Sequence, residues 1–394
     1  MKFTGFILAL FLSLSGFAQK NYLLIGRNTG NKTLEDSTKI RTFGFARNLN
    51  ENPPIPGPTL YAKPGDSVTI DFWNVSQGAS HTIHLHGLDV DQQNDGVPHL
   101  SFTVLHMEHG YYRFKAVHPG VYLYHCHVLS PIHVQAGMYG MLIIERNDSL
   151  EYMENGSLKR ADFSFPILFS EVDTNWHKDS VLMQGHDAMI HTAKLPKYEA
   201  QYFLANGREQ NSWTNSPIHK PKGDYLMRLA NVGNYAIELD QLPPGSRIVN
   251  SDGRDLPTAL SLDSSWSIYP GERYDIVFTA ETDQNLRFTY RNLNTWKAMG
   301  QLIIPIQLFR IGIESNPINQ VQLFPNPGTG SIQIGGLNGA ADASYRVYNT
   351  AGQLMQEGVC ENEIQLRGLK PGLYFIELQI GNQVLRERYS LSQP

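Results

Sequence analysis

The chain has 394 residues, too many for one ordinary domain and enough for two or three domains of ~100–150 residues each. Its 32 basic and 37 acidic residues give a formal net charge of −5, so it lacks the positive charge with which proteins hold nucleic acid. An aromatic content of 11% and a charged content of 18% exclude a disordered chain, and two cysteines exclude a disulfide framework.

The first residues have the character of an export signal. Lys2 is followed by an apolar run from Phe6 to Leu14 and then by small residues that end at Ala18. This pattern predicts a cleaved signal peptide over residues 1–18. The apolar run is shorter than the ~20 residues that a membrane span needs, and no later run is long enough. We therefore expect an exported protein without a transmembrane segment.

The rest of the chain alternates short apolar runs with clusters of glycine, proline, asparagine and aspartate. Runs of period two, such as residues 67–72 and 274–278, predict strands, and their spacing is typical of β-sandwiches. No segment with a helical period stands out. The sequence therefore predicts an all-β chain of three modules, which span residues 20–147, 160–310 and 318–394.

Histidines cluster in the first module, where ten of the 14 lie between His81 and His133. A single His-x-His pair is usually only a polar strand face. Here two such groups occur near a cysteine and a methionine, which favours metal binding. The residues concerned are His81, His84, His86, His125, Cys126, His127, His133 and Met138. The other four histidines of the cluster fit neither group, and we expect them at the surface or behind a site: His99, His106, His109 and His118.

The alternation of side chains along strands divides these residues into two sets. His84 and His86 share one strand face, and His125 and His127 share another, whereas Cys126 points the opposite way. If the two strands pair, one side collects His81, Cys126, His133 and Met138, and the other collects His84, His86, His125 and His127. Cys126 would then connect two metal environments through a few covalent bonds.

The two sets differ in the metal chemistry that they predict. Two imidazoles, a thiolate and a thioether are the ligands of a blue, type 1 copper, because the soft sulfur atoms suit Cu(I) and the imidazoles suit Cu(II). Zinc would need four ligands at short metal–ligand distances, and methionine is not among its usual ligands. The second set is four imidazoles without sulfur, which can hold copper open to an external ligand.

At these residues the sequence resembles the multicopper oxidase family, whose domains are cupredoxin sandwiches. The motifs that carry the resemblance span residues 56–60, 84–88, 95–98, 120–127 and 136–140. The resemblance implies two cupredoxin-like Greek-key β-sandwiches and a type 1 copper at His81, Cys126, His133 and Met138. It also implies that His84, His86, His125 and His127 form one half of a trinuclear type 2/type 3 copper cluster.

The second module is similar to a middle domain of the same family that binds no metal. Residues 288–294, where a metal-binding domain would carry a second histidine cluster, contain neither histidine nor cysteine. The family's cluster needs eight imidazoles, so either the other four come from a second copy of the first module in a dimer or the cluster is incomplete. Alternatively, His186 and His191 of a neighbouring chain would supply ligands in a trimer. We therefore expect a homo-oligomer.

The C-terminal segment is similar to the sorting module of type IX secretion substrates, which is a small Ig-like β-sandwich. The similarity rests on residues 324–327, on Gly330 and Gly352, and on residues 368–374. It implies passage through the outer membrane and a location at the cell surface or outside the cell.

Together these features predict a secreted copper oxidoreductase. It would oxidise phenolic or metal-ion donors by one electron at type 1 copper, with Cys126, His125 and His127 passing electrons to the site of dioxygen reduction. Two alternatives stay open at this stage. One is a blue-copper electron carrier whose imidazole face is vestigial, and the other is an enzyme like copper nitrite reductase, which combines type 1 copper with a three-imidazole site.

Overall fold

A computed structural model describes residues 18–184, 195–262, 265–309, 322–335, 343–360, 362–380 and 383–392. Almost all of the expected leader, both His186 and His191, and the junction at residue 318 lie outside the described residues. The chain divides into two compact units. The first contains residues 1–215, 224–278 and 286–303, and the second contains residues 216–223, 279–285 and 304–394. The three module boundaries expected above stay predictions.

The first unit begins with a sandwich of two four-stranded sheets. One sheet has the order β2-β1-β4-β6 and the other β3-β8-β7-β5, with large aromatic side chains such as Phe72 and Tyr124 buried between them. These strands are β1 (Gln19–Thr33), β2 (Lys39–Ala46), β3 (Leu60–Ala62), β4 (Ser67–Asn74), β5 (His84–His86), β6 (His109–Lys115), β7 (Gly120–His125) and β8 (Tyr139–Ile144).

Strands β7 and β8 are buried on both faces, unlike β4 and β6, which alternate between buried and more accessible positions. The inner face of β7 carries Tyr122 and Tyr124 into the sandwich core. Its outer face packs Val121 and Leu123 against Leu168 of the following sandwich. A strand covered on both sides needs a nearly continuous apolar sequence, which residues 120–124 and 139–144 have.

A short helix, α1 (Ser130–Ala136), interrupts the strands between β7 and β8. Pro131 lies in its first turn, where a missing amide hydrogen costs nothing, and Gly137 ends it with a φ of 115°. This helix does not conflict with the expectation that no segment with a helical period stands out in the sequence. Seven residues span only two turns, too few to establish a helical period in the sequence.

The next part of the chain forms a second sandwich, most of which lies in the first unit; residues 216–223, 279–285 and 304–309 belong to the second unit. One sheet has the order β12-β11-β14-β19-β16-β17 and the other β13-β21-β20-β15-β18, while β9 and β10 form a hairpin. The elements are β9 (Glu151–Glu154), β10 (Ser157–Arg160), β11 (Phe163–Val172), α2 (Asp179–Leu182), β12 (Tyr202–Ala205), α3 (Gln210–Asn215), β13 (Ile218–Pro221), β14 (Gly223–Asn231), β15 (Ala236–Gln241), β16 (Arg247–Ser251), β17 (Arg254–Ser261), β18 (Trp266–Ile268), β19 (Arg273–Ala280), β20 (Gln284–Arg291) and β21 (Ala298–Phe309).

The second unit contains the C-terminal sandwich, whose sheets have the orders β22-β23-β26 and β25-β24-β27-β28. Ile332, Val347 and Leu378 are fully or almost fully buried in its core. Its strands are β22 (Gln322–Phe324), β23 (Ser331–Gly335), β24 (Ala343–Asn349), β25 (Leu354–Cys360), β26 (Glu363–Gln365), β27 (Gly372–Ile380) and β28 (Gln383–Leu391). In the same unit, β13 pairs in parallel with the last residues of β21.

The all-β architecture expected from the sequence is confirmed. Within the parts of the chain that the structure describes, no helix is long and apolar enough to cross a membrane.

Candidate metal centre

The first donor set lies at the end of the first sandwich, where β7 leaves the sheet. His81, Cys126, His133 and Met138 are all fully buried there. The Sγ atom of Cys126 is 3.2 Å from Nδ1 of His133 and 3.6 Å from Nδ1 of His81. The Cys126 amide donates to the carbonyl of Met138 at 3.0 Å, which brings the methionine back to the cysteine.

Each member of this set is held by a different part of the fold. His81 lies outside strand β5, and its backbone amide and carbonyl form an isolated bridge with Val104. His133 lies on α1, and Phe43 packs edge-on against its ring. His81 lies beside Cys126 and His133, as strand parity predicted. Its position, however, is fixed by the bridge to Val104 and not by membership of a strand.

The donor chemistry of this set fits a copper ion. Burial raises the pKa of the Cys126 thiol to about 12, so the thiol keeps its proton until a metal cation displaces it. The sulfur and both imidazole nitrogens lie within 4.8 Å of one another, close enough to share one ion. Two imidazoles, one thiolate and a nearby thioether match the preferences of type 1 copper.

The second donor set lies on the outer side of the sheet that contains β5 and β7. His84 is the antiparallel partner of His125, so their side chains emerge on the same face. Ligand nitrogens of His84, His86 and His125 lie within 4.8 Å of one another. His127 is close to this group, with its ring centroid 5.3 Å from that of His84, but it is not one of the three.

Hydrogen bonds fix which nitrogen of two of these rings carries the proton. Nδ1 of His84 donates to the carbonyl oxygen of Asp95 at 2.7 Å, and Nδ1 of His125 donates to the Cys126 carbonyl at 3.1 Å. Because a carbonyl oxygen can only accept, the lone pair of each neutral ring lies on Nε2. His86 presents its Nδ1 to the group, 3.4 Å from Nε2 of His125.

Three imidazoles of this set, those of His86, His125 and His127, have lowered pKa values that favour the neutral form. Burial lowers the pKa of His125 to about 3, and burial together with the Arg273 guanidinium lowers that of His86 to about 4. The pKa of His127 is also lowered, mainly by burial and then by His84. Neutral imidazole is the form that binds a metal ion, so the set is ready to act as a ligand group.

Three of the remaining described histidines have partners outside the two donor sets. Nδ1 of His109 lies 2.6 Å from the Asp71 carboxylate, and its ring stacks on Trp73. Nε2 of His118 lies 3.5 Å from the Asp89 carboxylate. His177 is buried in the second sandwich and donates from Nδ1 to the carbonyl of Arg41 at 2.7 Å.

Two residues beside the second set were not anticipated as site residues. Arg273 and Gly271, from the turn before β19, approach His86 and Gly87. The sequence offered no signal for this contact beyond the general similarity of residues 270–275 to the family. The metal-binding roles assigned above to the eight residues of the two sets stay a prediction, although the structure brings three donor atoms of each set within 4.8 Å of one another.

Comparisons with known proteins agree with this architecture. Residues 44–149 match the family model described as multicopper oxidase, and residues 322–390 match that of a secretion system C-terminal sorting domain. L-ascorbate oxidase of Cucurbita pepo var. melopepo is 25% identical over 322 residues, which cover 74% of this chain. The match spans 55% of that oxidase, so the chain corresponds to about half of it.

Solved structures share the fold. A blue copper oxidase from Nitrosomonas europaea superposes with a TM-score of 0.58 at 24% identity, covering 76% of this chain and 88% of that one. A copper nitrite reductase from the same organism gives a TM-score of 0.55 at 19% identity, covering 74% and 95%. The fold and the donor sets thus define a protein with two cupredoxin-like sandwiches. More specifically, residues 44–149 are similar to multicopper oxidases and residues 322–390 are similar to secretion system C-terminal sorting domains.

Proposed function

We propose that this chain is a secreted, copper-dependent oxidoreductase of the multicopper oxidase type. It oxidises phenolic or metal-ion donors one electron at a time and reduces dioxygen. The observation that carries the proposal is the position of Cys126, which belongs to one donor set and stands in the chain between His125 and His127 of the other. Copper supplies the one-electron redox chemistry when bound, since the side chains of the two sets have none suited to dioxygen reduction.

The first set holds type 1 copper and receives electrons from the donor. His81, Cys126 and His133 are the strong ligands in this proposal, and Met138 is the weak one. Cys126 releases its thiol proton when the ion binds. The covalent path from its Sγ through the backbone to the two neighbouring imidazoles would connect the ions that the two sets would hold.

The second set, His84, His86, His125 and His127, holds type 2/type 3 copper. Asp95 keeps the His84 proton on Nδ1 through its backbone carbonyl, which leaves Nε2 as the ligand atom. All four rings are half-buried, so the site is reachable by a molecule as small as dioxygen.

Four imidazoles are half of the set that the family's trinuclear cluster needs. We propose that a second copy of the chain supplies the rest. In a two-fold dimer the same face of each subunit meets, so two faces would provide eight imidazoles. The other arrangement is a trimer in which His186 and His191 of a neighbour complete the site; both residues lie outside the described part of the chain.

Mixed oligomers distinguish the two arrangements. Wild-type chains are combined in equal amounts with His84→Ala/His86→Ala chains, and dioxygen uptake is measured per wild-type chain. If each cluster needs two intact faces, about half of the uptake per wild-type chain is lost, because half of the wild-type chains pair with a variant. If each cluster needs one intact face and a neighbour's second sandwich, uptake per wild-type chain is unchanged. Full uptake from a strictly monomeric preparation contradicts both arrangements.

A second candidate function is supported by one specific observation. The nitrogens that cluster most tightly belong to three imidazoles, His84, His86 and His125, with His127 outside the group. Three imidazoles suit a single copper ion that binds nitrite, as in an enzyme like copper nitrite reductase. The alternative that is not an enzyme is a blue-copper electron carrier, in which only the first donor set binds copper.

Copper counting together with substrate assays decides among these functions. The full chain is loaded with copper, dialysed, and assayed for dioxygen uptake with a phenol or Fe(II), and for nitrite reduction. More than two copper ions per chain with dioxygen uptake supports the oxidase. Two ions with nitrite reduction supports the reductase, and one ion without either activity supports the carrier.

We also propose that the chain is exported through its leader and its C-terminal sorting domain. The mature protein is expected to begin near Gln19 and to be found at the cell surface or in the medium. N-terminal sequencing of material from cell fractions tests this, and full-length protein confined to the cytoplasm contradicts it.

A further inference from the structure

The second sandwich lies against the imidazole set at one turn, residues 270–273. Gly271 has a φ of 87°, and a Cβ atom at this position would lie 3.0 Å from Cε1 and 3.4 Å from Nε2 of the His86 ring. A side chain at this position would therefore strain the backbone and crowd the His86 ring. The Nε2 edge of His86 faces this turn, while its Nδ1 faces His125.

Arg273 anchors this turn to the strand that carries His125. Its side chain is 6% exposed, its Nε donates to the Val121 carbonyl at 3.3 Å, and its Nη1 donates to the Gly271 carbonyl at 2.9 Å. A planar guanidinium can hold both carbonyls at once with fixed directions. One side chain thus ties the backbone of β7 to the glycine that touches His86.

The Arg273 guanidinium also packs against Gly87, the residue that follows His86. Gly87 has a φ of 85°, and a Cβ atom there would lie 2.1 Å from Nη2 of Arg273. The Asp252 carboxylate lies 2.8 Å from Nη1 and offsets the positive charge of Arg273. A charged arginine can therefore lie beside a site that binds a metal cation.

We propose that Arg273 and Gly271 are positioning residues for His86, which hold its ring with Nδ1 towards the imidazole group. The second sandwich thereby sets the geometry of the imidazole set without supplying a ligand of its own from its described residues. The positioning of the ring follows from contacts within the chain, whereas its consequence for copper rests on the proposed function.

The test uses the full chain with Arg273→Met, Arg273→Lys and Gly271→Ala substitutions. The matched control is Arg254→Gln, because Arg254 joins the same two sandwiches through Asp89 at 2.6 Å but is partly exposed and has no contact with His86 among the described residues. The first measurement is ¹⁵N NMR of the histidine rings in metal-free protein. The His86 ring signals are expected to shift in Arg273→Met and Gly271→Ala and to stay in place in the control.

The second measurement is titration with Cu(II), followed through both donor sets. Copper affinity at the imidazole set is expected to fall by about 10–100-fold in Arg273→Met, while the blue absorption of the first set is unchanged. Arg273→Lys keeps the positive charge but cannot hold both carbonyls, so it is expected to lose part of the copper affinity of the imidazole set. It is also expected to fold, and it replaces Arg273→Met in the test if the methionine variant does not fold.

Unchanged His86 signals in Gly271→Ala and in Arg273→Met, or in Arg273→Lys if the methionine variant does not fold, would overturn the proposal. Wild-type protein that binds no copper at the imidazole set would instead contradict the proposed function, and the NMR result would still decide whether Arg273 positions the ring. A loss of blue absorption equal to the loss at the imidazole set would show a general structural effect, and it would also count against the proposal.

Discussion

His84 and His125 face each other directly across the antiparallel pair β5 and β7. This pairing gives the imidazole set two of its three closest members from neighbouring strands. It also places the set one residue away from Cys126, whose side chain enters the core on the opposite side. The two donor sets can therefore be separated by single substitutions.

Replacing His84 with alanine is expected to lower the copper content while leaving the blue absorption in place. His84 contributes to the imidazole set alone, and its ring does not enter the buried core that contains Cys126. Copper analysis and visible absorption on the same sample measure the two effects. His109→Ala is the control, since it removes an exposed imidazole from the same sandwich, and a parallel loss of copper there would argue against a specific role for His84.

Replacing Cys126 with serine is expected to abolish the blue absorption. The colour of type 1 copper comes from charge transfer between a thiolate and Cu(II), and a hydroxyl cannot replace the soft sulfur. Cys360→Ser is the matched control, because it changes the other cysteine, which is buried in the C-terminal sandwich. A colourless wild type loaded with copper would disprove the type 1 assignment.

Replacing Gly137 with alanine is expected to destabilise the fold by about 1–3 kcal/mol and to change the blue absorption. A Cβ atom there would lie 2.6 Å from Ile55 Cδ1 and 2.7 Å from the Phe43 carbonyl, between His133 and Met138. Gly156→Ala separates the two causes, since Gly156 has a φ of 75° and open space around it. Equal losses of unfolding free energy in the two variants would mean that backbone strain alone is responsible.

Glu171 is expected to make the stability of the protein fall as the pH rises. Burial raises the pKa of this carboxyl from 4.5 to about 7, against hydrogen bonds from the Asn234 amide and the Tyr198 hydroxyl. Between these pH values the folded chain binds more protons than the unfolded chain, so the unfolding free energy decreases from pH 4.5 to pH 7 and then levels off.

The total pH effect of Glu171 is roughly 3 kcal/mol. Glu171→Gln removes this titration and keeps an acceptor oxygen for Tyr198. Urea unfolding at a series of pH values is expected to show the wild type losing stability relative to the variant as the pH rises from 4.5 to 7. A constant difference between the two proteins over that interval would contradict the assignment.

The sequence was sufficient to predict that Cys126 and His125 lie on opposite sides of the sheet, because strand parity is a local property. His125, Cys126 and His127 are neighbours in the chain, and alternation alone separates them. The helix that carries His133 was not predictable, because its ends depend on Pro131 and Gly137 and not on a hydrophobic period. The contact of Arg273 with Gly87 was not predictable either, because it arises only when two sandwiches pack together.

The burial of β7 on both faces has a further consequence for how the protein tolerates change. Inserting or deleting one residue within Gly120–His125 would exchange the two faces of the strand. Tyr122 and Tyr124 would leave the core, and Cys126 would emerge where His125 now stands. Such a change would abolish both donor sets in a single event. The segment after the strand is equally constrained, because it carries Cys126 and His127, so a change of length is expected to be better tolerated in the loop before Gly120.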